Sequence, residues 1–332
     1  MSMYFYAVTH YLSHLRTSAS SADKISASKL LLVASTLLCS TALAAPPITA
    51  VAFTPDYSAV VVGSQAGLEL KSWPALEHLS NFPTELINIH DLAFSPDGKL
   101  LATAGGVPAE YGTIELYRWP ERTLLRRIDV HDDLVYSIAW RSDSRQFGAA
   151  SADQRVSLHD VAMQTAVRQL DGHSRGVLAT VYLSDDQLLT AGVDATIRLW
   201  DTAASMPLRT FTNHTRPVHD LALRPGTGDA PPMVASCSDD RTIRFWQPTI
   251  GRLVRFARLD SAPLAIAWTA NGKTLWAACH DGQLRAINPD DATVEHDLPA
   301  LTGPAYCVAV APDGTLLVAG TDGQLRRTLP DK

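Results

Sequence analysis

Ala-Phe-Ser-Pro-Asp-Gly at Ala93 to Gly98 and Thr-Ile-Arg-Leu-Trp-Asp at Thr196 to Asp201 decide how this chain folds. The first is a short apolar run closed by turn-forming residues. Aligned on Phe94, its anchor slot recurs as Phe53, Trp140, Tyr182, Leu223, Trp268 and Val310, with gaps of 41, 46, 42, 41, 45 and 42 residues. The second stretch is rich in strand-forming side chains and follows the anchor. It returns as Thr-Ile-Arg-Phe-Trp at Thr242 to Trp246 and as Thr-Ile-Glu-Leu-Tyr at Thr113 to Tyr117. A period of about 40–45 residues with turn punctuation is what a four-stranded propeller blade produces. Seven anchors predict an all-β, seven-bladed β-propeller. Its repeats form one closed body over residues 45–332, although 332 residues would ordinarily suggest two domains.

One unit shows the expected blade. Val218 to Leu223 reads as the innermost strand, Met233 to Ser238 as the second, Thr242 to Trp246 as the third and Gly251 to Leu259 as the outermost. Pro225 to Pro232 is a long loop, and Asp239-Asp240-Arg241 is a turn. A single four-stranded sheet cannot bury both of its apolar faces, but radial packing between neighbours does so. After Val310 only 22 residues remain. They suffice for strands at Thr315 to Gly320 and Gln324 to Leu329, so the last blade is expected to have three strands and an open edge. Ala45-Pro46-Pro47 precedes the first strand, and two prolines withhold the donors that a ladder needs.

These markers resemble the WD-repeat family of β-propellers, over roughly residues 46–332. The resemblance implies a buried network in each blade that joins a Trp, a Ser or Thr, a His and an Asp. His214, Ser236, Asp240 and Trp246 match it in the fifth unit, and His173, Thr190, Asp194 and Trp200 in the fourth. The third unit keeps His131 and Asp153 but has Ala149 and His159 in the other slots; the sixth and seventh keep only Asp281 and Asp322. A buried His needs both ring nitrogens satisfied, and a carboxylate with a hydroxyl can do so. The same groups could form a hydrolase triad. A nucleophile would not be duplicated in register, so these residues are read as structural.

Residues 1–44 differ in kind. Lys24 and Lys29 precede an apolar stretch from Leu30 to Cys39, followed by Ser-Thr-Ala-Leu-Ala-Ala. This pattern is expected to be a signal peptide. It implies an exported, bacterial-type protein, periplasmic or extracellular, that is not membrane-inserted once the segment is removed. Three cysteines follow, Cys237, Cys279 and Cys307. An odd number in strand segments reads as reduced core residues. The net charge of −6 and the lack of any Lys/Arg block argue against nucleic acid as a partner.

Chemistry-bearing motifs are scarce. There is no phosphate-cradling loop, no His-Glu-x-x-His and no Gly-x-Ser-x-Gly. Neither cofactor nor metal is expected. The informative surface is the mouth of the central channel. There the slot following Ile89 holds Thr49, His90, Tyr136, Leu178, His219, Leu264 and Tyr306. Such a mixed aromatic collar suits partner binding, with His90, Tyr136, His219 and Tyr306 as contacts. The loop Gly105 to Gly112 adds Glu110 and Tyr111 at its tip. The family resemblance implies a non-catalytic platform for a protein or peptide partner. Two alternatives stay open at this level: an exported propeller enzyme of lactonase or quinone-dependent dehydrogenase type, and an accessory to an exported cytochrome system.

Overall fold

A computed structural model of the protein describes residues 45–163, 166–226 and 231–330. The expected signal peptide, residues 1–44, lies outside the described residues, as does part of the loop from Pro225 to Pro232. Seven antiparallel sheets follow one another along the chain. Six have four strands, spanning residues 48–82, 91–131, 135–171, 177–211, 218–258 and 263–299. The seventh, residues 305–328, has three. Each sheet runs in chain order from the channel outward, and successive innermost strands are neighbours around a closed ring. The chain is therefore a seven-bladed β-propeller with a three-stranded last blade.

The turn that marks each unit works through its polar side chains. Ser95 Oγ donates to Asp97 Oδ1 at 2.7 Å and accepts the Leu100 amide at 3.0 Å. Gly98 takes the positive φ of 69° that the reversal requires. Blade one repeats the device with Thr54 Oγ1 on Asp56 Oδ1 at 2.6 Å.

Burial follows radial position. Second strands such as Gln146–Ser151, Val234–Ser238 and Leu316–Gly320 are buried along their whole length, because a neighbouring sheet covers each face. Outermost strands such as Met206–Phe211 and Val294–Pro299 are mostly exposed. The core is a series of seams. One cluster joins Val61, Leu68 and Phe82 of blade one to Ile89, Leu101 and Tyr117 of blade two. Another closes the ring by packing Ile48, Val60 and Val62 against Cys307, Leu317 and Ala319 of the last blade.

In that last blade Leu316–Gly320 pairs with Leu325–Thr328, and among the described residues no fourth strand follows. The segment before Ile48 crosses its turn instead. A Cβ on Gly323 would stand 2.6 Å from the Ala45 carbonyl oxygen, so only glycine admits this crossing.

Candidate functional site

The collar residues occupy one geometric ring. The slot before them, Ile48, Ile89, Val135, Val177, Val218, Pro263 and Ala305, is buried in every blade. The next slot, Thr49, His90, Tyr136, Leu178, His219, Leu264 and Tyr306, is half-buried in every blade. Strand alternation explains this: one residue enters the seam between blades and the next faces the channel. His90 and Tyr136 touch, with ring centroids 4.6 Å apart. Thr49 Oγ1 donates to the Ile89 carbonyl and ties blade one to blade two. His219 Nε2 meets Asp239 Oδ1 at 2.7 Å, and that hydrogen bond holds the Asp239 carboxyl below its ordinary range.

Burial pushes His90 down to about 4, so its ring is neutral at physiological pH. It raises the Tyr136 phenol, with the charge of Asp133 adding to the rise, and it raises Tyr306. Both phenols therefore stay protonated and can donate. The collar presents aromatic faces, two apolar leucines and hydrogen-bonding tips. That composition suits recognition of a peptide surface.

One step deeper lie residues that the sequence reading passed over. Asp91, Ser137 and Asp220 each reach from their own innermost strand to the next blade. Asp91 Oδ2 accepts the Ile138 amide at 2.6 Å, Ser137 Oγ accepts the Thr180 amide at 3.2 Å, and Asp220 Oδ2 accepts the Ile266 amide at 2.9 Å. Burial pushes Asp91 up to about 6 and Asp220 up to about 7, the latter also feeling the charge of Asp91. The signal was present in duplicate: His-Asp-Leu-Ala occurs at His90 to Ala93 and again at His219 to Ala222.

The hairpin carrying Glu110 and Tyr111 stands at the same end. It extends the Leu100–Val107 and Tyr111–Arg118 ladder and leans on the next blade, where the Ala109 amide donates to Asp133 Oδ1 at 2.8 Å. Glu110 is exposed and Tyr111 half-buried. A Cβ on Gly112 would meet the Asp133 carbonyl oxygen at 2.1 Å, so a glycine is required for this approach. On the neighbouring rim an open cleft of about 660 Å³ lies between the entry loops of blades four and five, lined by Arg175, Asp194 and Arg216.

The buried networks form as the resemblance implies. In blade four His173 Nδ1 meets Asp194 at 3.0 Å and Nε2 meets Thr190 Oγ1 at 2.7 Å, while Trp200 Nε1 donates to Thr190 at 2.8 Å. In blade five the same contacts are 2.8 Å to Asp240, 2.8 Å to Ser236 and 2.9 Å from Trp246. Blade three completes its network by a route that the motif hides. Ala149 lacks the hydroxyl, but Ser157 lies directly opposite it in register. Ser157 Oγ sits 2.8 Å from His131 Nε2 and 2.7 Å from His159 Nε2. His159 thus takes the place of the Trp. In blades six and seven, Asp281 and Asp322 pair with Arg285 and Arg326, each at 2.8 Å.

Ser157→Ala is expected to destabilise the protein by about 1–3 kcal/mol, since it strands two buried imidazole nitrogens. Adding Ala149→Ser should restore much of the loss from the facing strand. Urea midpoints of the single and double variants check this. Equal midpoints for the two variants would mean that the hydroxyl cannot be supplied from strand two.

Cys237, Cys279 and Cys307 are unpaired and buried, and burial pushes the thiols of Cys279 and Cys307 up to about 11 and about 12. Among the described residues no three His, Cys, Asp or Glu side chains converge as metal ligands, and no helix is long and apolar enough to cross a membrane.

Comparison with known proteins matches the WD domain, G-beta repeat, at residues 79–117, 122–160, 164–201, 205–247 and 294–326, together more than half of the chain. WD repeat-containing protein slp1 of Schizosaccharomyces pombe is 26% identical over 72% of this chain and 49% of its own length. Anaphase-promoting complex subunit cdc20 of Dictyostelium discoideum is 29% identical over 72% of this chain and 48% of its own. Coronin-7 of Rattus norvegicus is 32% identical over 43% of this chain and 16% of its own. The chain spans about half the length of the first two. These relatives are eukaryotic intracellular proteins, and they overturn the exported, bacterial-type placement expected from residues 1–44. An apolar stretch with flanking lysines and small residues carries the composition of a leader, and composition alone does not establish that role. Five matched repeats, set within seven sheets that close into a ring, place this chain in the WD40 family.

Proposed function

We propose that the protein is a non-catalytic scaffold that holds a protein or peptide partner on the collar at the channel mouth, with Glu110 and Tyr111 on the adjoining hairpin. The observation that carries this reading is the collar itself: seven half-buried side chains at one radius, including His90, Tyr136, His219 and Tyr306, above a ring of fully buried ones. Aromatic rings with polar tips supply large contact area and orientation at low entropic cost, which is the chemistry of interface hot spots. The His, Asp and hydroxyl groups that could suggest hydrolysis recur in three successive blades and are buried, in keeping with a structural role. The name of one relative, a subunit of the anaphase-promoting complex, also fits a part that works within an assembly.

The test is a photoreactive side chain at Leu264 to capture the bound protein, followed by affinity measurements on the captured partner. The double variant Tyr136→Ala/Tyr306→Ala is expected to keep its fold and to weaken that partner by roughly a hundred-fold, since hot-spot truncations cost about 2 kcal/mol or more each before non-additivity. Unchanged affinity in the folded double variant would remove the collar from the interface.

A further inference from the structure

The seam between blades four and five continues from the rim cleft down the outer flank of the molecule, and there its chemistry changes. The outermost strands that border it, Met206–Phe211 and Arg252–Arg258, contain four arginines and no carboxylate. This happens on a chain whose net charge is −6. On the first strand Arg209 pairs with Leu199 and Phe211 with Ile197, and that face packs toward Trp246 of blade five. Arg209 projects across the seam: a Cβ on Gly251 would stand 3.1 Å from its Nη1.

On the facing blade, Arg244 pairs with Phe256 and Thr242 with Arg258, so these side chains share one face. The Arg244 guanidinium lies 5.3 Å from the centre of the Phe256 ring. Phe256 is nevertheless 53% exposed, and Arg209 and Arg258 are exposed as well. Among the described residues the only carboxylate within ion-pair distance of these arginines is Asp240, 3.8 Å from Arg244 and already held by His214. Arg252, paired with Gln247, and Arg255, paired with Phe245, lie on the other face, toward blade six, where the charge of Arg255 is felt by Asp291.

We infer that this flank is a second interaction surface, and that its occupant is an acidic peptide segment in extended form. Guanidinium groups without counter-charge recognise carboxylates through paired hydrogen bonds. An exposed aromatic ring between them accepts one apolar side chain of the same segment. From Arg252 to Arg258 the strand spans about 20 Å, the reach of roughly six extended residues. Extended recognition along a strand fits that reach better than a globular footprint. The chain's overall negative charge opposes a polyphosphate, charged at every repeat, more than a peptide charged at every second residue, which favours a short acidic peptide over nucleic acid.

The surface is separate from the collar, and the test separates the two. The probe is a fluorescein-labelled peptide of about twelve residues that alternates Glu with Leu and Phe, followed by anisotropy at low salt. The spacing covers the strand reach derived above. The wild-type protein is expected to bind it, with affinity falling as salt is raised. Arg209→Glu/Arg258→Glu should weaken binding by roughly ten-fold or more, and Phe256→Ala by roughly three-fold or more. Tyr136→Ala/Tyr306→Ala should leave it unchanged, whatever the fate of the collar. Thermal melts establish that each variant is folded. A Lys-for-Glu peptide should not bind. Three results would overturn the proposal: no binding of the acidic peptide, binding insensitive to the two reversals, or tighter binding of a single-stranded oligonucleotide of equal length.

Discussion

Trp246→Ala is expected to lower the unfolding free energy by about 3–5 kcal/mol, among the largest losses that a single core truncation produces. The indole is 1% exposed and packs against Phe211 of blade four at a tilt of 57°, with centroids 5.2 Å apart. It belongs to a cluster that includes Ile197, Leu199 and Val234, so the cavity left behind would open the seam between two blades. Its Nε1 donates to Ser236 Oγ, which also serves His214. Truncation therefore removes packing and one of the two partners of that buried hydroxyl together. Trp73 is the control. It is half-buried and packs edge-on against Phe53 at 4.9 Å, so Trp73→Ala should cost only about 1–2 kcal/mol. Urea midpoints measure both. If Trp246→Ala melts with the wild-type protein, the seam is not what holds blade five in place.

How much of this was legible depends on which kind of signal carried it. The blade count was legible because each anchor is followed by a turn whose side chains must close on themselves, as Ser95 and Asp97 do. The strands of the last blade were legible as the short runs at Thr315 to Gly320 and Gln324 to Leu329. Networks written along one strand order, such as His214 with Ser236 and Trp246, could be read directly. Ser157 was missed because its hydroxyl sits across the ladder from Ala149, and register is not visible in a single strand. Asp91 and Asp220 stand one residue past the collar slot, and a single strand does not show that their carboxylates reach amides of the next blade. The arginine flank was hidden for a different reason. Arg209 and Arg258 lie in different repeats, and only the packing of one blade on the next brings their strands to one seam. The leader-like reading of residues 1–44 rested on composition without packing, and the placement it implied was the part that failed.

Asp220→Ser is expected to remove a pH dependence that the wild-type protein carries. Asp220 is half-buried by residue, yet its carboxylate is enclosed, accepting the Leu221 amide at 2.7 Å and the Ile266 amide of the next blade at 2.9 Å. Burial, reinforced by the charge of Asp91, raises it from 3.8 to about 7. Between those values the folded chain keeps a proton that the unfolded chain has lost. Raising the pH through this window therefore favours unfolding: the stability is fully present below about pH 4 and gone above about pH 7. At about 1.4 kcal/mol for each pH unit, the effect is on the order of 4 kcal/mol. Asp91, raised to about 6, contributes with the same sign in both proteins. His90, lowered to about 4, and His214, also lowered, contribute with the opposite sign below the ordinary histidine value, and they too are common to both. The comparison thus reports Asp220 together with its coupling to Asp91. Ser137, in the aligned slot of blade three, shows that a neutral hydroxyl can accept the neighbouring amide. It offers fewer acceptors than a protonated carboxyl, so the wild-type protein should be the more stable of the two in acid. Above neutrality the buried charge tips the balance toward the variant. The two stability curves are therefore expected to cross between about pH 4 and about pH 8 in urea titrations. Parallel curves would mean that Asp220 titrates in the folded protein as it does in water, and that the ring beneath the collar is wet.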